Sequence, residues 1–144
     1  MARRPSTNVV NAGARAGGAR RDQALIDHDH LERQTAGDVV LHHELLKLFL
    51  MQLEDIYATL SAASMVVSPK LAEQLHRIRG AAEAVGARGL AQALARAEAG
   101  CIDPAQTLTW LEPLRSQVAA TRAHLSRLIA AEDRGGLAKL RESR

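Results

Sequence analysis

Apolar side chains recur at three- and four-residue steps through most of this chain. Leu71, Leu75, Ile78, Ala82 and Val85 are spaced 4, 3, 4 and 3, which is one stripe of an amphipathic helix. Ser68-Pro69 opens that helix with a capping hydroxyl and a proline at the first helical position. It should end near Gly86. Upstream, Leu41, Leu45, Leu48, Phe49, Leu53, Ile56 and Leu60 form the stripe of a helix that starts after the N-cap Asp38 and runs to about Ala63. Downstream, Leu90, Leu94 and Ala97 mark a helix from about Arg88 to Ala99, stopped by Gly100. Asp103-Pro104 repeats the cap-plus-proline signal. A last long helix carries Leu108, Leu111, Val118, Leu125 and Ile129 on one side, with Trp110 over the core. Pro113 should kink it or mark a fresh start, and Gly135-Gly136 should end it. A short helix after Asp27, with Ile26, His30 and Leu31 near its buried side, precedes a break at Thr35-Ala36-Gly37-Asp38.

Four substantial helices joined by short links predict an all-α, antiparallel four-helix bundle with a short extra N-terminal helix. Composition agrees. Ala and Leu dominate the apolar residues, β-branched residues are sparse, and Arg, Glu and Gln are strong helix formers. The 144 residues suffice for one domain with a real core. Its expected divisions are a disordered basic arm over 1–22, the bundle over 23–132 and a charged tail over 133–144. There is no internal repeat.

The basic excess does not belong to the bundle. Residues 1–22 carry a net charge of +4 and the remainder −1, so the folded part is near neutral. With three Trp, Tyr and Phe residues in all, no aromatic basic face exists for stacking on bases. A nucleic-acid binder working through the arginine arm is a lesser reading. The arm's composition also resembles an organelle transit peptide, beside the alternatives of a flexible arm or an over-extended start. No apolar run approaches the roughly 18 residues that span a bilayer. The lone Cys101 excludes an internal disulfide and suits a reducing, cytoplasmic setting.

The informative chemistry lies at His76. At about 100° per residue it points roughly 140° from the centre of its helix's apolar stripe, and Gly80 roughly 180°. The histidine should therefore face solvent, with bare backbone one turn on. A mid-helix glycine costs about 1 kcal/mol relative to alanine, and close approach of another molecule is a reason for it. Neutral imidazole is a competent nucleophile near pH 7. It needs access, a fixed tautomer and positive charge for an incoming phosphoryl group. Gly80 offers access. Arg79, three residues along, offers charge, and Arg77 adds longer-range charge. If the chain turns back near Gly86, His76 and Glu98 stand about 15 and 18 Å from the turn, so Glu98 can accept the proton of one ring nitrogen.

These residues carry a resemblance. His76-Arg77-Ile78-Arg79-Gly80, with Gly86 and Leu90 following, resembles the signature of histidine-containing phosphotransfer (HPt) domains: His, any residue, an aliphatic, Lys, Gly, a second Gly six residues later and a Leu four after that. Ile26-Asp27, Leu31, Gly37-Asp38 and Glu44 to Phe49 also sit where such domains have similar residues. The likeness covers roughly 26–130. It implies that His76 is the phosphorylated nucleophile, that Arg79 stands in the lysine's place and stabilises phosphoryl charge, that Glu98 orients the imidazole, and that Gly80 clears space for the partner. The departure is arginine for lysine, a planar fork for a point charge. The implied partners are receiver domains of a hybrid kinase or response regulator, which would hold the Mg²⁺. The bundle itself would need no cofactor and no metal, and has no Gly-rich phosphate loop for ATP. Ala72 and Ala84, with Arg77 and the exposed edge of the 38–63 helix, are the expected contact rim of a monomeric carrier. The rival reading is a non-phosphorylated adaptor that binds and regulates a receiver or kinase.

The remaining candidates are weaker. His28 and His30 in Asp-His-Asp-His could bind metal, but no supporting residues accompany them. His42 and His43 should point to different sides of their helix. His124 and Glu83 should be solvent-facing, and Cys101 has no base partner.

Overall fold

The computed structural model describes residues 25–142. The basic arm expected over 1–22 lies outside the described residues. Among the described residues five helices follow in order: α1 (His28–Gln34), α2 (Val39–Ser61), α3 (Pro69–Ala84), α4 (Arg88–Gly100) and α5 (Thr107–Glu142), with a 3₁₀ turn at Pro104–Gln106 before α5. No strand occurs among the described residues.

The caps explain where the helices begin. Asp27 accepts the His30 amide, Asp38 those of Val40 and Leu41, and Ser68 that of Leu71 with Pro69 at the helix start. Each satisfies an amide that the helix leaves without an internal partner. α3 ends in a Schellman turn. The Ala87 amide donates to Ala82 O at 2.8 Å and the Gly86 amide to Glu83 O at 3.2 Å. Gly86 takes φ +79°, and a Cβ there would collide with Asp27. Its place is thus fixed both by the left-handed turn and by what packs on it.

That turn reverses the chain, so α3 and α4 run antiparallel. Contacts between later elements show the same sense. Tyr57 stacks under the Arg122 guanidinium at 4.4 Å, while His43, near the start of α2, meets Glu132 of α5. Gly89 lies near Gln117 and Gly100 near Trp110, which sets α4 against α5. Between the helices lies one core that includes Phe49, Leu53, Leu75, Leu94, Leu114 and Leu125. Burial of such side chains stabilises a fold by about 1.5–3 kcal/mol each.

The structure corrects several expectations. On α2 the inward residues are Leu46, Phe49, Leu53, Ile56 and Leu60, spaced 3, 4, 3 and 4. Leu48 and Leu41 stand off that stripe and are exposed. The helix ends at Ser61, two residues early. On α5, Leu108 is exposed and Trp110 takes the inward place, followed by Leu114 and Val118. Gly100 is the last residue of α4 without a left-handed φ. Its reason is the Trp110 indole, which occupies the space a Cβ would need. α5 makes no fresh start at Pro113, which lies inside it, and it runs through Gly135-Gly136 to Glu142. The glycines cost about 1 kcal/mol each, and the strong helix formers after them carry the helix on.

Candidate functional site

His76 sits in the second turn of α3 with its side chain 63% exposed. Its Nδ1 lies 2.7 Å from Oε1 of Glu98, which projects from the last turn of α4. A ring nitrogen bonded to a carboxylate carries the proton, which leaves Nε2 of the neutral ring with its lone pair. No hydrogen bond or ion pair among the described residues involves Nε2.

Arg79, one turn along, leans onto the same carboxylate. Its Nη1 is 3.1 Å from Glu98 Oε2 and its Nη2 is 3.4 Å from His76 Nδ1. Nδ1 cannot accept from Arg79 while it donates to Glu98. The 3.4 Å approach is therefore two donors converging on one acceptor. Arg79 and Glu98 are mostly covered, 31% and 24% exposed. The sequence expectation placed Arg79 beside the ring but did not foresee its pairing with Glu98. The signal was available: a residue three from His76 on the helix must also neighbour whatever His76 faces.

Gly80 is open, with nothing within 4 Å of where a Cβ would stand. Ala72, His76, Gly80 and Ala84 form one row at four-residue steps, with Ala72 half-buried and Gly80 and Ala84 exposed. Arg77 is exposed on the other flank of α3. It lines a shallow cavity toward α2 with Gln52, Asp55 and Gln74, so the structure does not bring it to the ring. Glu83 is exposed.

Cys101 caps α4. Burial pushes its thiol above the ordinary range and the charge of Glu98 adds to that, which disfavours the nucleophilic thiolate.

The histidines at the other end of the bundle depart from expectation. His42 and His43 do not diverge: His42 Nε2 lies 3.5 Å from Glu132 Oε1 and His43 Nδ1 2.6 Å from Glu132 Oε2. His43 Nε2 also meets Asp133 at 2.9 Å. Long side chains on adjacent helical positions can wrap to one neighbour when that neighbour lies between them. His124 is half-buried, its ring edge-on to His28 at 6.2 Å. No group of three or more His, Cys, Asp or Glu residues among those described is arranged to hold a metal.

Asp27 is the residue the sequence undervalued. Besides capping α1, it pairs with Arg88 at 3.2 Å, and its amide donates to Gly86 O at 3.0 Å. The His30 amide holds its carboxyl below the usual carboxylate range, partial burial opposes this, and the charges of Arg88 and Arg33 add to the lowering. Asp27 thus clamps the start of α1 over the α3–α4 turn.

Among the described residues no helix is long and apolar enough to cross a membrane. Searches of curated proteins and of solved structures each return no match. A family model described as the Hpt domain matches residues 44–131, a span that contains His76, Arg79 and Glu98. With most of the chain matched, this protein belongs to the Hpt domain family, the phosphotransfer modules of two-component phosphorelays.

Proposed function

We propose that His76 accepts a phosphoryl group from an aspartate of one receiver domain and passes it to an aspartate of another. The observation that carries this reading is the pairing at His76: one ring nitrogen held at 2.7 Å by a carboxylate and the other open to solvent. The Nε2 lone pair forms the N–P bond as the P–O bond to the aspartyl carboxylate breaks, and that carboxylate leaves with the electron pair. The Nδ1 proton stays in place, and Glu98 offsets the positive charge that grows on the ring. Arg79 supplies positive charge beside the phosphoryl oxygens. The reverse step delivers the group to the second aspartate.

The bundle is a carrier rather than an ATP-using enzyme and needs no cofactor. A Mg²⁺ ion held by the receiver would supply further charge neutralisation. The receiver docks on the row of Ala72, Gly80 and Ala84, where small side chains permit close approach, with Arg77 and the exposed Leu48 and Met51 of α2 at the rim. The contact should be small and weak, below about 1,200 Å², because a carrier must release each partner. A monomer in the cytoplasm is the simplest setting for this cycle.

The test is incubation with a phosphorylated receiver beside His76→Gln. An acid-labile, alkali-stable label on the native chain and none on the variant is the expected result. Receiver binding without label on either chain overturns the carrier in favour of an adaptor.

A further inference from the structure

His43 meets a carboxylate with each ring nitrogen. Nδ1 lies 2.6 Å from Glu132 Oε2 and Nε2 lies 2.9 Å from Asp133 Oδ1. A neutral imidazole has one N–H, so it can donate to only one of the two and sets a lone pair against the other. Only the imidazolium donates to both, and such charge-assisted bonds are roughly twice as strong as neutral ones. The ring is mostly covered, so water does little to replace a lost partner.

What the ring holds is the stretch of α5 with the least support of its own. Asp133 is followed by Arg134 and then by Gly135-Gly136, and the helix continues to Glu142. Each glycine costs about 1 kcal/mol in a helix interior. A helical segment this short has little stability alone, so it depends on the anchor before it. We infer that His43 is a proton-operated catch for the last turns of α5: its imidazolium holds Glu132 and Asp133 against α2, and loss of the proton releases one carboxylate and lets the turns beyond it fray. Further titratable groups face the catch. On α2, His42 Nε2 stands 3.5 Å from Glu132 Oε1. Asp38, with His28 and Glu32 of α1, lines the small cavity that His42 and Glu132 share. Glu32 and Asp38 attract a charged ring, and His28 and His42 repel it when protonated. The catch is closed below the range in which imidazole titrates, around pH 6.5, and opens as pH rises through it. Carboxylates ordinarily ionise near pH 4, so across this range it is the rings around the catch that change charge. Neither the catch nor its test involves His76 or a phosphoryl group.

The experiment is carbon-detected NMR of the full chain at about pH 5.5 and about pH 8.5. It reads the helix content of residues 134–142 from ¹³Cα shifts, which do not depend on amide exchange. The ratio of helical to frayed forms should fall about threefold between the two conditions, the scale of a partly exposed ion pair. In His43→Gln the ratio should be low and the same at both. Asp133→Asn serves if that variant folds poorly, because Asp133 is exposed. The asparagine amide can accept from a protonated Nε2 or donate to a bare one, so the fall should shrink to less than about 1.5-fold. A native ratio that does not fall, or a threefold fall that persists in His43→Gln or in Asp133→Asn, overturns the inference.

Discussion

Two regions of this molecule pair histidine with glutamate, and they are built to opposite ends. On the open face, His76 gives one nitrogen to Glu98 and keeps the other for solvent, with 63% of its side chain exposed. At the closed end, His43 is 19% exposed and spends both nitrogens, on Glu132 and on Asp133. A carboxylate at hydrogen-bond distance therefore does not identify a reactive histidine. The free second nitrogen does. The closed end ties the start of α2 to the late turns of α5, while the open face ties α3 to α4 and leaves one ring nitrogen without a hydrogen bond or ion pair among the described residues.

The sharpest way to break this contrast is to remove each ring in turn. His76→Gln should abolish phosphoryl acceptance in the receiver assay, while His43→Gln should leave it within about twofold and lower the unfolding free energy by about 1 kcal/mol, read from urea denaturation. Label on the His76 variant, or its loss in the His43 variant, would collapse the distinction.

The glycines sharpen it further. Gly86→Ala must adopt a left-handed φ and press against Asp27, so it should cost roughly 2–3 kcal/mol in the same denaturation experiment. Gly80→Ala sits in open helix, should gain up to about 1 kcal/mol of stability, and should slow transfer by roughly tenfold by holding the receiver off. A Gly80→Ala chain that transfers at the native rate would remove Gly80 from the docking surface.

The smallest expected effect is electrostatic. Because the Asp27 carboxyl is held below its ordinary value of 3.8, its charge adds stability above that pH. The contribution is lost as pH falls through the lowered value. Asp27→Asn keeps the capping ability but should show a shallower loss of stability between pH 5 and pH 2 than the native chain, followed by thermal denaturation across that range. Parallel curves would mean that the Asp27 charge, held by the His30 amide and by Arg88, contributes nothing.

Much of this was legible in the sequence because it depends on local chemistry. Asp38, Ser68 and Asp103 cap where their spacing says they should, since a capping side chain reaches amides only two or three residues on. The His76–Glu98 pair followed from counting outward from one turn. What failed required knowing a third helix. Leu46 and Leu48 are equally apolar, and only packing against the rest of the bundle decides that Leu46 is buried. His42 and His43 converge because Glu132 lies between them, from a helix some ninety positions away. Gly100 read as a stop signal, whereas its lack of a Cβ answers to Trp110. Gly135-Gly136 misled because local propensity is a weak force beside a helix already formed on both flanks.

The exposure of His76 has a consequence in time as well as in space. Whatever that nitrogen carries is stored in open water, with no chamber around it. On the reading proposed here, the phosphorylated chain leaks: hydrolysis proceeds at a pace set by the ring and its two neighbours rather than by a protecting wall. Delivery then becomes a race between spontaneous decay and arrival of the second receiver. A brief pulse of donor activity would fade unless the acceptor is abundant, which makes the relay a filter that forgets.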